Sequence, residues 1–221
     1  MNDMATDLLL WARGPGFTLS LVVFALGMTM RLVEVYSMGH RRRCLAPANP
    51  HGISTGMSTI WRRFLFVPGM VSKAPVTCLA GYVFHVGFFI SLFLFAPHID
   101  MFQAILGWGW PGLSALWVDS VAVWTITALL LLLISRMSDP VKRLLSDGED
   151  YGIWLLSMLP MVTGYLAWHH LFSYTWMLAL HILSAELLLM VIPFTKLIHV
   201  LTVWPSRWYT GTWFGRKGVV S

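Results

Sequence analysis

Charge is scarce in this chain of 221 residues. Asp, Glu, Lys and Arg together fill 11% of its positions, against about 25% in soluble domains, so it cannot present a charged surface to water on all sides. Cysteine is scarcer still, with only Cys44 and Cys78. Two thiols exclude an iron-sulfur cluster held by this chain alone, which takes four thiolates, and their spacing is not that of a c-type haem attachment site. Internal repeats and low-complexity linkers are absent. No small-residue cleavage site follows the first apolar run, which is therefore read as a retained span of one membrane domain, 1–221.

Apolar residues fill the space left by the missing charge, at 57% of the chain with a mean hydropathy of +0.69. Trp alone occurs 12 times, an excess common where indole rings sit at the headgroup level. Five apolar runs of roughly the 20 residues that cross a bilayer fall at about 16–38, 76–97, 115–135, 151–171 and 174–201. The expected fold is an all-α integral membrane bundle of five transmembrane helices.

The charges that remain are sorted by loop. Arg41, Arg42, Arg43, Arg62, Arg63 and Lys73 stand between the first two runs without an acid, and Arg207, Arg216 and Lys217 follow the last. The stretch Pro97 to Asp119 carries Asp100 and Asp119 and no base, and Arg136 to Asp150 is mixed in sign. Basic loops stay in the cytoplasm, so the expected topology is N-terminus out and C-terminus in, in the cytoplasmic (inner) membrane. The net charge of +5 reads as topology and contact with lipid, not as affinity for nucleic acid. The basic, Trp-rich loop and tail together are expected to dock a cytoplasmic partner.

Histidine is the residue out of place. Six of the eight, His85, His98, His169, His170, His181 and His199, lie in or at the ends of apolar runs, where a polar ring is costly and marks a candidate site. His181 and His199 are 18 residues apart, five whole turns of one helix and about 27 Å of rise, close to the hydrocarbon thickness of about 30 Å. Two haems stacked across the bilayer would suit that spacing, since imidazole ligates haem iron. Opposing depths pair His85 with His199 on an inner haem and His98 with His181 on an outer one. His169 and His170 are rivals for the outer position. The 13-residue step from His85 to His98 is about 140° off a shared face unless the helix deforms near Pro97.

Two segments carry a family likeness. LHILSAELLLMVIPFTKLIHV, Leu180 to Val200, resembles the last helix of the gamma subunit of respiratory nitrate reductases, and YVFHVGFF, Tyr82 to Phe89, resembles that family's second helix. The resemblance implies a b-type cytochrome with two haems, passing quinol electrons to a cytoplasmic iron-sulfur subunit beside a catalytic, molybdenum-bearing one. It places His85, His181 and His199 on three of four axial positions. The fourth falls on Phe95, a departure that leaves His98 as a displaced ligand and one haem as the minimum. The wider family includes cytochromes of sulfite-reduction and heterodisulfide-reductase complexes, and the tail WYTGTWFGRKGV departs from the nitrate reductase version.

Arg31, Arg136 and Lys196 lie at the depth where inner-haem propionates need cations, or serve as ordinary anchors. Glu186 is the acid set deep in an apolar run. With Asp100, His98 and His181 it bounds an expected outer quinone site against Trp108, Trp110 and Trp117. Two other classes compete: a transporter or channel with a His-lined proton path, which calls for more buried acids and broken helices, and a haem-free structural anchor.

Overall fold

A computed structural model describes residues 3–37, 52–64 and 68–219. Arg41, Arg42 and Arg43, counted toward the docking surface, lie outside the described residues, as does the end of the first expected span at Met38. The regular structure among the described residues is all helical, without a strand: α1 (Asp3–Trp11), a π turn (Ala12–Gly16), α2 (Phe17–Ser37), α3 (Gly52–Phe64), α4 (Pro68–Lys73), α5 (Pro75–Leu94), α6 (Ala96–Leu106), α7 (Ala115–Ser138), α8 (Pro140–Leu144), α9 (Gly148–Trp168), α10 (Tyr174–Val191) and α11 (His199–Arg216). Among them, four helical runs are long and apolar enough to cross a membrane: Met4–Ser37, Pro75–Leu94, Ala115–Ser138 and Tyr174–Phe194. The fourth expected span falls on α9, whose 21 residues reach about 31 Å. Its apolar run is diluted by Ser157, Pro160, Thr163, Gly164 and Tyr165.

The chain forms two compact units, Met1–Leu21 with Ala74–Met190, and Val22–Lys73 with Val191–Ser221. In the first, α5 lies closely on α7 because Gly87 faces the wholly buried Thr125, leaving no room for a Cβ. Trp154 of α9 donates its indole N–H to the Leu129 carbonyl of α7 at 2.8 Å. Beyond α7, Asp139 caps α8, and the backbone N–H groups of Lys142 and Val141 hold its carboxyl below the ordinary range. In the second unit, α3 packs on α11 through Gly56, Gly211 and Gly215, each set against a threonine.

Two expected spans are broken, which corrects their assigned ends. The second stops at Leu94, where Phe95 turns extended (φ −87°, ψ 126°), and α6 occupies part of the expected loop. A carbonyl freed in a membrane must find another donor, and three of those here find one. His98 Nδ1 donates to Ser91 O at 2.8 Å, Trp110 Nε1 to Phe93 O at 2.6 Å and Leu113 N to Leu94 O at 2.9 Å.

The last span ends at Val191. Two 3₁₀ turns, Ile192–Phe194 and Lys196–Ile198, follow before His199 opens α11. Pro193 lacks the N–H that would continue the helix, and Thr195 is fully extended (φ −129°, ψ −179°). His181 and His199 therefore do not share one helix face, and the five-turn argument fails at this break. Arg31 Nε donates to Pro193 O at 2.9 Å, and Thr195 Oγ1 donates to Val191 O at 3.0 Å.

Candidate functional site

The break at Phe95 supplies the deformation that the sequence demands near Pro97. It swings His98 to His181 of α10, with ring centroids 5.8 Å apart and planes within 12°. Each Nδ1 donates to a backbone carbonyl, His98 to Ser91 O at 2.8 Å and His181 to Pro160 O at 2.9 Å. Those bonds fix the tautomer with the proton on Nδ1, so Nε2 carries the lone pair. A carbonyl on the second nitrogen is the usual support of a metal-ligating imidazole. Desolvation lowers His98 below the ordinary imidazole range, against the raising effect of the Ser91 and Leu92 carbonyls, and so favours the neutral ring that binds metal.

A group held between the two rings must fit. The two rings lie near-parallel with centroids 5.8 Å apart, and imidazole nitrogens bind metal ions at about 2 Å. Gly164 of α9 clears space for the His181 ring: a Cβ there would lie 2.9 Å from its Cε1 and Nδ1. Two imidazoles with Nδ1 on backbone carbonyls are donors of the type that binds haem iron. Among the described residues no cluster of three or more His, Cys, Asp and Glu could hold a bare metal ion. Phe95 makes T-shaped ring contacts with His98 (5.4 Å) and Trp168 (4.9 Å).

The rival histidines are engaged elsewhere. His169 binds Asp119 through Nε2, the nitrogen a ligand would need, and packs on Tyr165. His170 ends α9 in a left-handed conformation (φ 51°) and stacks on Tyr174. His85 and His199 share the tautomer of the central pair, with Nδ1 donating to Gly81 O at 2.7 Å and to Lys196 O at 2.9 Å. His85 belongs to the first unit and His199 to the second.

The cations expected on propionates have other partners as well. Arg31 bonds Pro193 O and Glu34, and Arg136 bonds Ser146 at 2.7 Å with Asp150 3.6 Å away. Lys196 sits exposed in the second 3₁₀ turn and lends its carbonyl to His199. Lys142, a residue the sequence does not single out, donates to Thr77 at 2.8 Å and Ser135 at 2.7 Å, tying α8 to α5 and α7.

Beside α6 opens a cavity of about 370 Å³, lined among others by Ile99, Asp100, Gln103, Trp110 and Pro111. Its volume falls within the range of small-molecule clefts. Of the residues expected around the quinone, Asp100 and Trp110 line this cavity, while His98, His181, Glu186, Trp108 and Trp117 are not among its lining residues. Gln103 escapes sequence reading only because the segment reads as a loop: on a helix, positions 100 and 103 share a face. Glu186 lies apart from this cavity. It is 4% exposed, near Trp11 and the glycine Gly16 that ends the π turn, and its Oε1 has no hydrogen-bond partner among the described residues.

No family model matches the chain, and no solved structure matches it. A protein of Nitratidesulfovibrio vulgaris strain Hildenborough, named only "Protein", is 32% identical over 204 residues, which cover 90% of this chain and 89% of its own length.

Proposed function

The chain belongs to the same family as that Nitratidesulfovibrio vulgaris protein, and we propose, on the histidine geometry alone, that it is a membrane-anchoring b-type cytochrome subunit. In this reading it carries electrons between the quinone pool and a cytoplasmic iron-sulfur partner, with α9 as its fifth span. The observation that carries the reading is the His98 and His181 pair: two near-parallel rings, each with Nδ1 on a carbonyl and Nε2 left to ligate. Haem held there by His98 and His181 would supply reversible one-electron transfer. His85 and His199 carry the same tautomer, each within its own unit.

The chain's own groups divide the remaining work. Gly164 gives the His181 ring room, and the Ser91 and Pro160 carbonyls hold the two imidazoles in orientation. A quinol entering the cavity beside α6 has Trp110 to lie against and Gln103 to hydrogen-bond a ring oxygen. As the two electrons of the quinol leave for the iron-sulfur partner, one of its two protons passes to Asp100 and the other to solvent water at the cavity mouth. The transporter reading draws support from the two broken helices. At both breaks, however, carbonyls are capped by the protein's own donors rather than turned to an ion path.

A reduced-minus-oxidised absorbance spectrum of the purified full chain tests the proposal. Low-spin b-type bands are expected, with one haem lost in both His98→Ala and His181→Ala. In Asp100→Asn, reduction by a quinol analogue slows while reduction by dithionite is unchanged. A haem-free wild-type protein, or full haem content in both histidine variants, defeats the reading.

A further inference from the structure

The second unit gathers a different chemistry. By sequence it holds eleven of the fifteen Lys and Arg and one of the ten acids, Glu34. Neither α3, α4 nor α11 contains an Asp or Glu. The glycine and threonine contacts that draw α3 onto α11 leave a cavity of about 240 Å³ at one end of the pair, lined by Arg63, Met70, Ser206, Arg207 and Thr210. Two guanidinium groups and two hydroxyls thus face one space with no carboxylate among them.

Arg207 is held in place and left incomplete. Its guanidinium carbon lies 4.4 Å from the centre of the Phe64 ring, and that ring packs on Trp204 at 4.6 Å. A cation stacked on an aromatic face keeps its plane, yet Nη1 is buried without a hydrogen-bond partner among the described residues. A guanidinium offers five N–H donors and accepts none, and a buried charged donor without an acceptor is costly. Two guanidinium groups beside two hydroxyls match an anion with several acceptor oxygens. Arg forks match phosphate two bonds at a time, and Ser and Thr hydroxyls complete such a shell.

We propose that the pocket formed by Arg63, Ser206, Arg207 and Thr210 binds a phosphate group. Two sources carry that chemistry, the headgroup of an anionic phospholipid and free inorganic phosphate. Trp61 and Trp208, both exposed on the same two helices, suit a headgroup-level location.

The test uses the full chain in a phosphate-free maltoside detergent, with native mass spectrometry reading bound adducts. Phosphatidylglycerol, inorganic phosphate and oleate, an anionic lipid without phosphate, are titrated separately. One phosphatidylglycerol adduct is expected, weakened about tenfold or more in Arg207→Gln, the loss of one charged hydrogen bond. Lys217→Gln, which removes an equal charge outside the pocket, leaves the adduct intact. Arg63→Gln is the second variant should Arg207→Gln fail to fold. Displacement of the lipid by inorganic phosphate supports the pocket and names the free ion as a ligand, and resistance to displacement supports it and names the lipid. Binding of oleate equal to that of phosphatidylglycerol, unchanged binding in the pocket variants, or no adduct at all overturns the proposal.

Discussion

Gly164 makes a test at the scale of one residue because two effects there have opposite signs. In a helix interior, Gly to Ala ordinarily gains about 1 kcal/mol. At position 164 the added methyl would lie 2.9 Å from two atoms of the His181 ring, so the ring must shift off its bond to Pro160 O. Gly164→Ala is expected to lower haem content measured as pyridine haemochrome. Gly152→Ala, on the same helix with open space around it, should keep the haem and melt no lower than wild type. Equal haem content in both variants counts against the cradle. The two histidines were legible in the sequence because a polar ring in an apolar run has few reasons to be there. Gly164 and Pro160 were not, since an apolar span contains such residues for packing alone and nothing in the one-dimensional pattern ties position 164 to position 181. The engagement of His169 rests on Asp119, whose bond to His169 Nε2 spans 50 residues.

Helices were easier to read than their interruptions. Hydropathy located the apolar runs, and the angular mismatch between His85 and His98 pointed to a deformation near Pro97, found at Phe95. The break after Val191 went unseen although Pro193 stands in it, because the run IPFTKLI stays apolar enough to read as helix. What stabilises that break is tertiary: Arg31, 162 residues away, closes the Pro193 carbonyl, and Gly27 admits the Pro193 and Phe194 side chains. Arg31→Gln is expected to cost about 1 kcal/mol, which lowers the melting temperature in detergent by roughly 2–4 °C for a chain of this size. Glu34→Gln removes only the half-exposed ion pair, worth little at a surface, and should melt near wild type. If the two variants melt alike, the carbonyl bond is not what holds the turn.

Over the whole molecule, charge is partitioned by unit: the second is strongly basic and the first holds nine of the ten acids. The positive-inside rule then predicts that a C-terminal green fluorescent protein fusion will fluoresce while a C-terminal alkaline phosphatase fusion stays inactive. A tag at the N-terminus should be reached from outside the cell. Both termini on one side would leave an even number of spans and remove α9 from the membrane. Sequence composition made the membrane character plain. It could not divide the chain into two units, because that division follows contacts between distant segments such as α3 and α11. The same long reach sets an order of assembly. His98 leaves the ribosome 83 residues ahead of His181, and chains take shape from the N-terminal end as they are made. Anything gripped between the two rings can be locked in only after α10 has been synthesised, so a chain cut short before Leu180 holds one jaw of the clamp. Cofactor retention would thus report that translation had reached the last span.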